Sequence, residues 1–261
     1  MERRTFIKNT VLAGAGLTLS NSVLANNLSS ATITKKILLS GGIYDLNWFH
    51  YMISLTGKDK PKVCFLPTAS GDNQFYIDYW FKTAKDLPVE PFVQKVFISS
   101  SEQKLSFEES LLGMDAILVP GGNTLDMMAL WKIHGIDLVL KKAWEKGIVL
   151  TGSSAGAVCW FQQGLSDSRP KQLSAVDGLG FFEGSCCPHY HSTNERSTVY
   201  QEMISKGTIM PGYGLDNNAG LYFENNKIAR VIASDKTSKV YKVSAEGGKI
   251  VETALDAEVL G

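Results

Sequence analysis

The sequence predicts an α/β fold: a mostly parallel central sheet flanked by helices, with antiparallel hairpins at the C-terminal end. From Lys36 onward, short unbroken apolar runs alternate with stretches of helical periodicity. The runs end in glycine-rich turns, at Gly41-Gly42, Gly121-Gly122 and residues 152–156. Strands apolar along their whole length and separated by helices belong to a parallel sheet covered on both faces. Ligands of such sheets bind beyond the carboxyl ends of the strands, where these glycines fall.

Taken in order, Lys36-Ile37-Leu38-Leu39-Ser40 is the first strand, and residues 46–55 read as a helix. Val63-Cys64-Phe65-Leu66 is the second strand, stopped by Pro67, and an aromatic-rich amphipathic helix covers 75–84. Residues 92–98 read as a third strand and Ala116-Ile117-Leu118-Val119 as a fourth. Helical spacing then fills 125–131 and 138–144, before a fifth strand at Ile148-Val149-Leu150-Thr151 and a helix over 155–161. Beyond Gly212 the pattern changes. Leu221-Tyr222-Phe223 and residues 228–232 flank Asn225-Asn226, and 240–243 and 250–251 flank Gly247-Gly248, two hairpin signatures. These extend the same domain, which the sequence assigns to residues 36–261, after a polar lead-in over 26–35.

The first 25 residues read as an export address. Arg3-Arg4-Thr5-Phe6-Ile7-Lys8 resembles a twin-arginine motif, a weakly apolar stretch follows over 11–19, and Val23-Leu24-Ala25 offers a cleavage site. The expectation is a bacterial protein passed through the twin-arginine export machinery to the periplasm or beyond. The 261 residues carry 26 basic and 26 acidic side chains and no basic run, which argues against a nucleic-acid partner. No apolar run approaches the roughly 18 residues of a membrane span, so no membrane association is expected once the address is removed. Four cysteines without a CxxC pair do not make a disulfide framework. Cys64 and Cys159 read as small buried apolar residues.

Gly152-Ser153-Ser154-Ala155-Gly156 fits G-x-S-x-G between a buried strand and a helix, the setting of a nucleophile elbow. Ser154 is the candidate nucleophile, and the Ala155 N–H would face a developing oxyanion. The motif also fits a plain glycine-rich turn that binds an anion. Pro120-Gly121-Gly122-Asn123-Thr124 ends the strand expected beside the elbow, which makes the Gly122 N–H a candidate second oxyanion donor. Asn123 or Thr124 could equally cap the next helix, and Asn123 is also a candidate for contacting substrate. Among four histidines, His189 in Cys186-Cys187-Pro188-His189-Tyr190-His191 is the best base, at a strand end on the same side. His191 points to the other face, and two histidines without a carboxylate set do not argue for a metal. No cofactor is expected.

Together GSSAGAVCW at 152–160, PGGNT, the CPHY around His189 and GLDNNAGL at 214–221 resemble the peptidase S51 family, the aspartyl dipeptidase and cyanophycinase group. The resemblance spans most of the chain after the export segment. It implies a class I glutamine amidotransferase-like fold with serine in place of the elbow cysteine. It implies Ser154 as nucleophile, His189 as general base, and Gly122 and Ala155 as the oxyanion hole. The orienting acid stays open among Asp167, Asp216 and Asn217, the last of which falls on the family's carboxylate position. An asparagine can orient an imidazole but brings no charge. Arg196 resembles the residue that holds a substrate aspartate, and also fits a helix-surface arginine paired with Glu195 or Glu202. The expected activity is hydrolysis of short peptides, dipeptides with N-terminal aspartate foremost. The alternatives are a cyanophycinase-like exopeptidase, an α/β-hydrolase esterase using Ser154, Asp167 and His189, and a periplasmic binding protein with a degenerate site.

Overall fold

The computed structural model describes residues 33–42, 45–192 and 194–261. The export segment read over 1–25 lies outside them. A compact unit spans Ile33–Gly261. In chain order it contains β1 (Lys36–Ser40), α1 (Leu46–Thr56), β2 (Lys62–Phe65), α2 (Gln74–Thr83), β3 (Glu90–Val93), α3 (Phe107–Leu112) and β4 (Ala116–Val119). Next come α4 (Thr124–His134), α5 (Ile136–Glu145), β5 (Val149–Ser153), α6 (Ala155–Val158), β6 (Phe161–Arg169), β7 (Gln172–Asp177) and β8 (Phe182–Pro188). The remainder is α7 (Asn194–Ser205), β9 (Gly212–Leu215), β10 (Ala219–Glu224), β11 (Lys227–Ala233), β12 (Val240–Glu246), β13 (Lys249–Leu255) and β14 (Glu258–Val259).

The first sheet has eight strands in the order β14-β11-β10-β1-β5-β4-β2-β3. Its β1-β5-β4-β2-β3 part is parallel, and the β10–β11 hairpin adds to it antiparallel beside β1. The strands are buried on both faces because their side chains alternate between two apolar layers. Ile37, Leu39, Cys64, Ile117 and Leu150 pack with α4, α5 and α6. Leu38, Val63, Phe65, Leu118 and Val149 pack with α1 and α2. Caps fix the helix ends: Asp45 accepts from the Trp48 N–H, and Ser106 forms a capping box with Glu109. Gly135 in the left-handed region divides α4 from α5.

A second sheet has six strands in the order β13-β12-β9-β8-β6-β7. Both C-terminal hairpins exist, but β12–β13 joins this second sheet through β9. The helix expected over 155–161 lasts only through Val158. The chain then enters β6, because Trp160 and Phe161 bury themselves against Phe181 and Phe182. The strand expected over 92–98 ends at Val93. Beyond it the N–H groups of Val96 and Phe97 are taken by the Asp72 carboxylate instead of a neighbouring strand.

Candidate active site

The parallel pairing of β4 with β5 sets Val119 opposite Gly152 and brings the Gly121-Gly122 turn beside the elbow. Ser154 sits at φ 56° and ψ −114°, a strained conformation for a residue with a side chain. The strain is held by its surroundings: the Ser154 N–H donates to Ser40 O at 3.3 Å, and its carbonyl accepts from Ala157 and Val158. The two flanking glycines are demanded by close approach. A Cβ on Gly152 would stand 1.8 Å from Gly156 O, and one on Gly156 would stand 2.1 Å from Val119 O.

His189 arrives from the other sheet, one residue past β8. Its N–H donates to Gly41 O at 3.1 Å, which ties the loop to the end of β1. Nε2 lies 2.8 Å from Ser154 Oγ, and Nδ1 lies 2.6 Å from Asn217 Oδ1. An amide oxygen can only accept, so Nδ1 carries the proton and Nε2 is left to accept from the serine hydroxyl. Asn217 follows β9, and the parallel β8–β9 pair sets Pro188 beside Leu215, just before the two partners. Gly42 passes behind them. A Cβ there would stand 2.9 Å from His189 Nδ1 and 2.5 Å from Asn217 Oδ1.

Of the three candidate orienters, only Asn217 touches the ring. Asp216 is corrected to another role: it accepts from the Lys239 N–H at 2.9 Å and pairs with His191 Nδ1 at 3.0 Å. Past β9 the chain turns, with the Ala219 N–H donating to Asp216 O, and within this turn Asn217 faces His189 while Asp216 faces His191. Asp167 is likewise corrected. Its carboxylate holds Arg196 at 2.8 Å, so the Ser154–Asp167–His189 arrangement of an α/β-hydrolase esterase is not formed.

Arg196 is buried, its Nη1 on Pro188 O at 3.5 Å and its Nη2 on Asp167. This differs from a surface arginine paired with Glu195 or Glu202; Glu202 pairs with Lys206 instead. Asn123 is the α4 N-cap, its Oδ1 accepting from Asp126 N–H at 3.1 Å. The exposed Gly122 N–H makes no hydrogen bond among the described residues. The Ala155 N–H opens α6 and has no intrahelical partner. With four residues, α6 contributes that N–H rather than a sizeable macrodipole.

Burial pushes the His189 imidazole below its ordinary pKa. The Asn217 hydrogen bond pulls it up, the Arg196 charge pushes it down, and the Asp167 charge pulls it up. The ring is therefore a free base at neutral pH. Cys159, a turn past the elbow, is fully buried with its thiol pKa raised well above the usual value by burial, so it takes no part in the site.

A strained serine between strand and helix, with an imidazole in the accepting tautomer 2.8 Å from its hydroxyl, has the geometry of a nucleophile elbow on an α/β scaffold. The profile of peptidase family S51 matches residues 37–231, and the chain belongs to that family. It is 37% identical over 217 residues to the uncharacterized peptidase YgaJ of Bacillus subtilis, covering 83% of this chain and 93% of that one. It is 24% identical over 183 residues to the uncharacterized peptidase Lin0382 of Listeria innocua, covering 67% of this chain and 86% of that one. In fold it is similar to a peptidase from an acI-B1 actinobacterium, with TM-score 0.65, 19% identity, and 88% and 98% of the two chains covered. It is also similar to a putative peptidase E protein from Listeria monocytogenes, with TM-score 0.55, 20% identity, and 85% and 100% covered.

Proposed function

We propose that the protein is a serine peptidase that hydrolyses short peptides, dipeptides with N-terminal aspartate foremost, through an acyl-enzyme at Ser154. The observation that carries this reading is the continuous chain from Ser154 Oγ through His189 to Asn217 Oδ1, at 2.8 and 2.6 Å. In the first step the serine hydroxyl gives its proton to Nε2 as the oxygen attacks the scissile carbonyl. The N–H groups of Ala155 and Gly122 stabilise the oxyanion. The imidazolium then protonates the departing amine, leaving an ester on Ser154. A water molecule repeats the sequence, with His189 again taking and returning a proton. Asn217 holds the ring and its tautomer but supplies no negative charge to the imidazolium.

Preference for an acidic first residue is supported by Arg196, a buried guanidinium close enough to His189 to depress its pKa. Its Asp167 partner is exposed, so a substrate carboxylate can take that place on the planar fork. The export segment supports a periplasmic or extracellular site of action, testable by cell fractionation. The activity is tested by a dipeptide screen on the protein without residues 1–25, with Ser154→Ala as the blank. Turnover of Asp-X well above Ala-X is expected. Equal rates for wild type and Ser154→Ala would refute hydrolysis at this serine.

A further inference from the structure

A cavity of about 260 Å³ opens beside the elbow. Its walls are Phe49, Phe65, Tyr76, Tyr79, Trp80 and Leu118. It lies next to the elbow serine: Gly42, Gly121 and Ser153 also line it, and a Cβ on Gly121 would stand 3.4 Å from Ser154 Oγ. Sites that enclose a whole drug-sized ligand hold about 300–1,000 Å³. This space is smaller, suited to one large side chain. The outer wall is α2, where Tyr76 is 47% and Tyr79 57% exposed. Exposed apolar surface at the rim of a groove is a mark of a ligand-binding site.

The cavity and Arg196 lie on opposite sides of the first sheet. Phe49, Phe65, Trp80 and Leu118 belong to the layer under α1 and α2. Arg196 is held by Asp167, and the adjacent Ser168 Oγ accepts from the Thr124 N–H at the start of α4, which packs on the other layer. A dipeptide whose acidic first residue reaches Arg196 therefore carries its second residue toward the aromatic cavity.

Resting on the peptidase reading above, we propose that this cavity is the subsite for the leaving residue, and that it selects a large apolar or aromatic side chain. The protein is then a peptidase for Asp-aromatic and Asp-aliphatic pairs, rejecting Asp-Gly and Asp-Ala by leaving the cavity unfilled.

The test compares kcat/KM for Asp-Phe, Asp-Leu, Asp-Ala and Asp-Gly on the wild type and on a Tyr76→Ala/Tyr79→Ala double variant. Both tyrosines are exposed, so truncation removes little of the core. Calorimetric titration of Ser154→Ala with Asp-Phe and Asp-Ala reads binding without turnover. Asp-Phe is expected to exceed Asp-Ala by about tenfold or more in both assays, and the double variant to erase most of that ratio. Cleavage with no preference for the larger side chain overturns the subsite while leaving the peptidase reading intact. Tighter binding of Asp-Phe with no hydrolysis of any dipeptide sustains the subsite and removes the peptidase reading. Neither binding nor cleavage overturns both.

Discussion

His189 Nδ1 donates to the amide oxygen of Asn217 across 2.6 Å, where a carboxylate would bring a negative charge. The imidazole is fixed in orientation and tautomer, yet its protonated form gains no ionic partner there. Burial, the largest influence, keeps it below the ordinary histidine range.

The pH profile follows from that pairing. As the proposed base, His189 must be unprotonated to act, and its lowered pKa is expected to put the acid limb of kcat/KM below pH ~6.5, the unperturbed histidine value. Asn217→Asp places an anion on the ring, favours imidazolium and moves the limb to higher pH, by about one unit or more. Asn217→Ala removes the orienter and is expected to lower kcat by about a hundredfold or more. A rate profile between pH 4 and 9 on the three proteins checks both; an unmoved limb in Asn217→Asp would refute the role given to Asn217.

Arg196→Met keeps much of the side-chain volume and leaves no buried charge behind. Loss of a hydrogen-bonded charge contact, about 1.5–3 kcal/mol, should lower the Asp-Leu to Ala-Leu selectivity ratio by about 10- to 150-fold. Steady-state kinetics with the two peptides read the ratio directly.

Asp167→Asn removes a competing carboxylate from Arg196. Because Asp167 is exposed, the gain is that of a surface ion pair, a fall in KM for Asp-X of about two- to fivefold. The same change removes a charge that raises the His189 pKa, so the acid limb should move to lower pH. An Asp167 acting in proton transfer would instead give a large loss in kcat.

Gly156→Ala tests the packing of the elbow. Its added methyl would stand 2.1 Å from Val119 O, a backbone atom that cannot swing aside. A destabilisation of roughly 3 kcal/mol or more is expected, read from denaturant unfolding.

The parallel strands were legible because apolar residues sit on both of their faces. Residues 116–119 gave β4 at its observed bounds, and Asn225-Asn226 and Gly247-Gly248 marked their hairpins. The second sheet was not. β6 reads FQQGLSDSR, with Phe161, Gly164, Leu165 and Ser166 buried, too polar a string to mark a strand before its neighbours are known. The residues 154, 189 and 217 could be named from motifs. Choosing among the three orienters required the geometry of the turn after β9, which sends Asp216 to His191 and Asn217 to His189. The Asp167–Arg196 pair gave no signal, joining residues 29 apart on elements whose pairing the sequence did not disclose.

Ser154 and His189 stand on separate sheets, stitched at the end of β1, where Ser40 O receives Ser154 N–H and Gly41 O receives His189 N–H. A slip of an ångström between the layers would part oxygen from imidazole while both sheets kept their own hydrogen-bond ladders. Hydrolysis is thus the most sensitive gauge of how the two halves mesh: on gentle heating, turnover should fade while circular dichroism still reports intact strands.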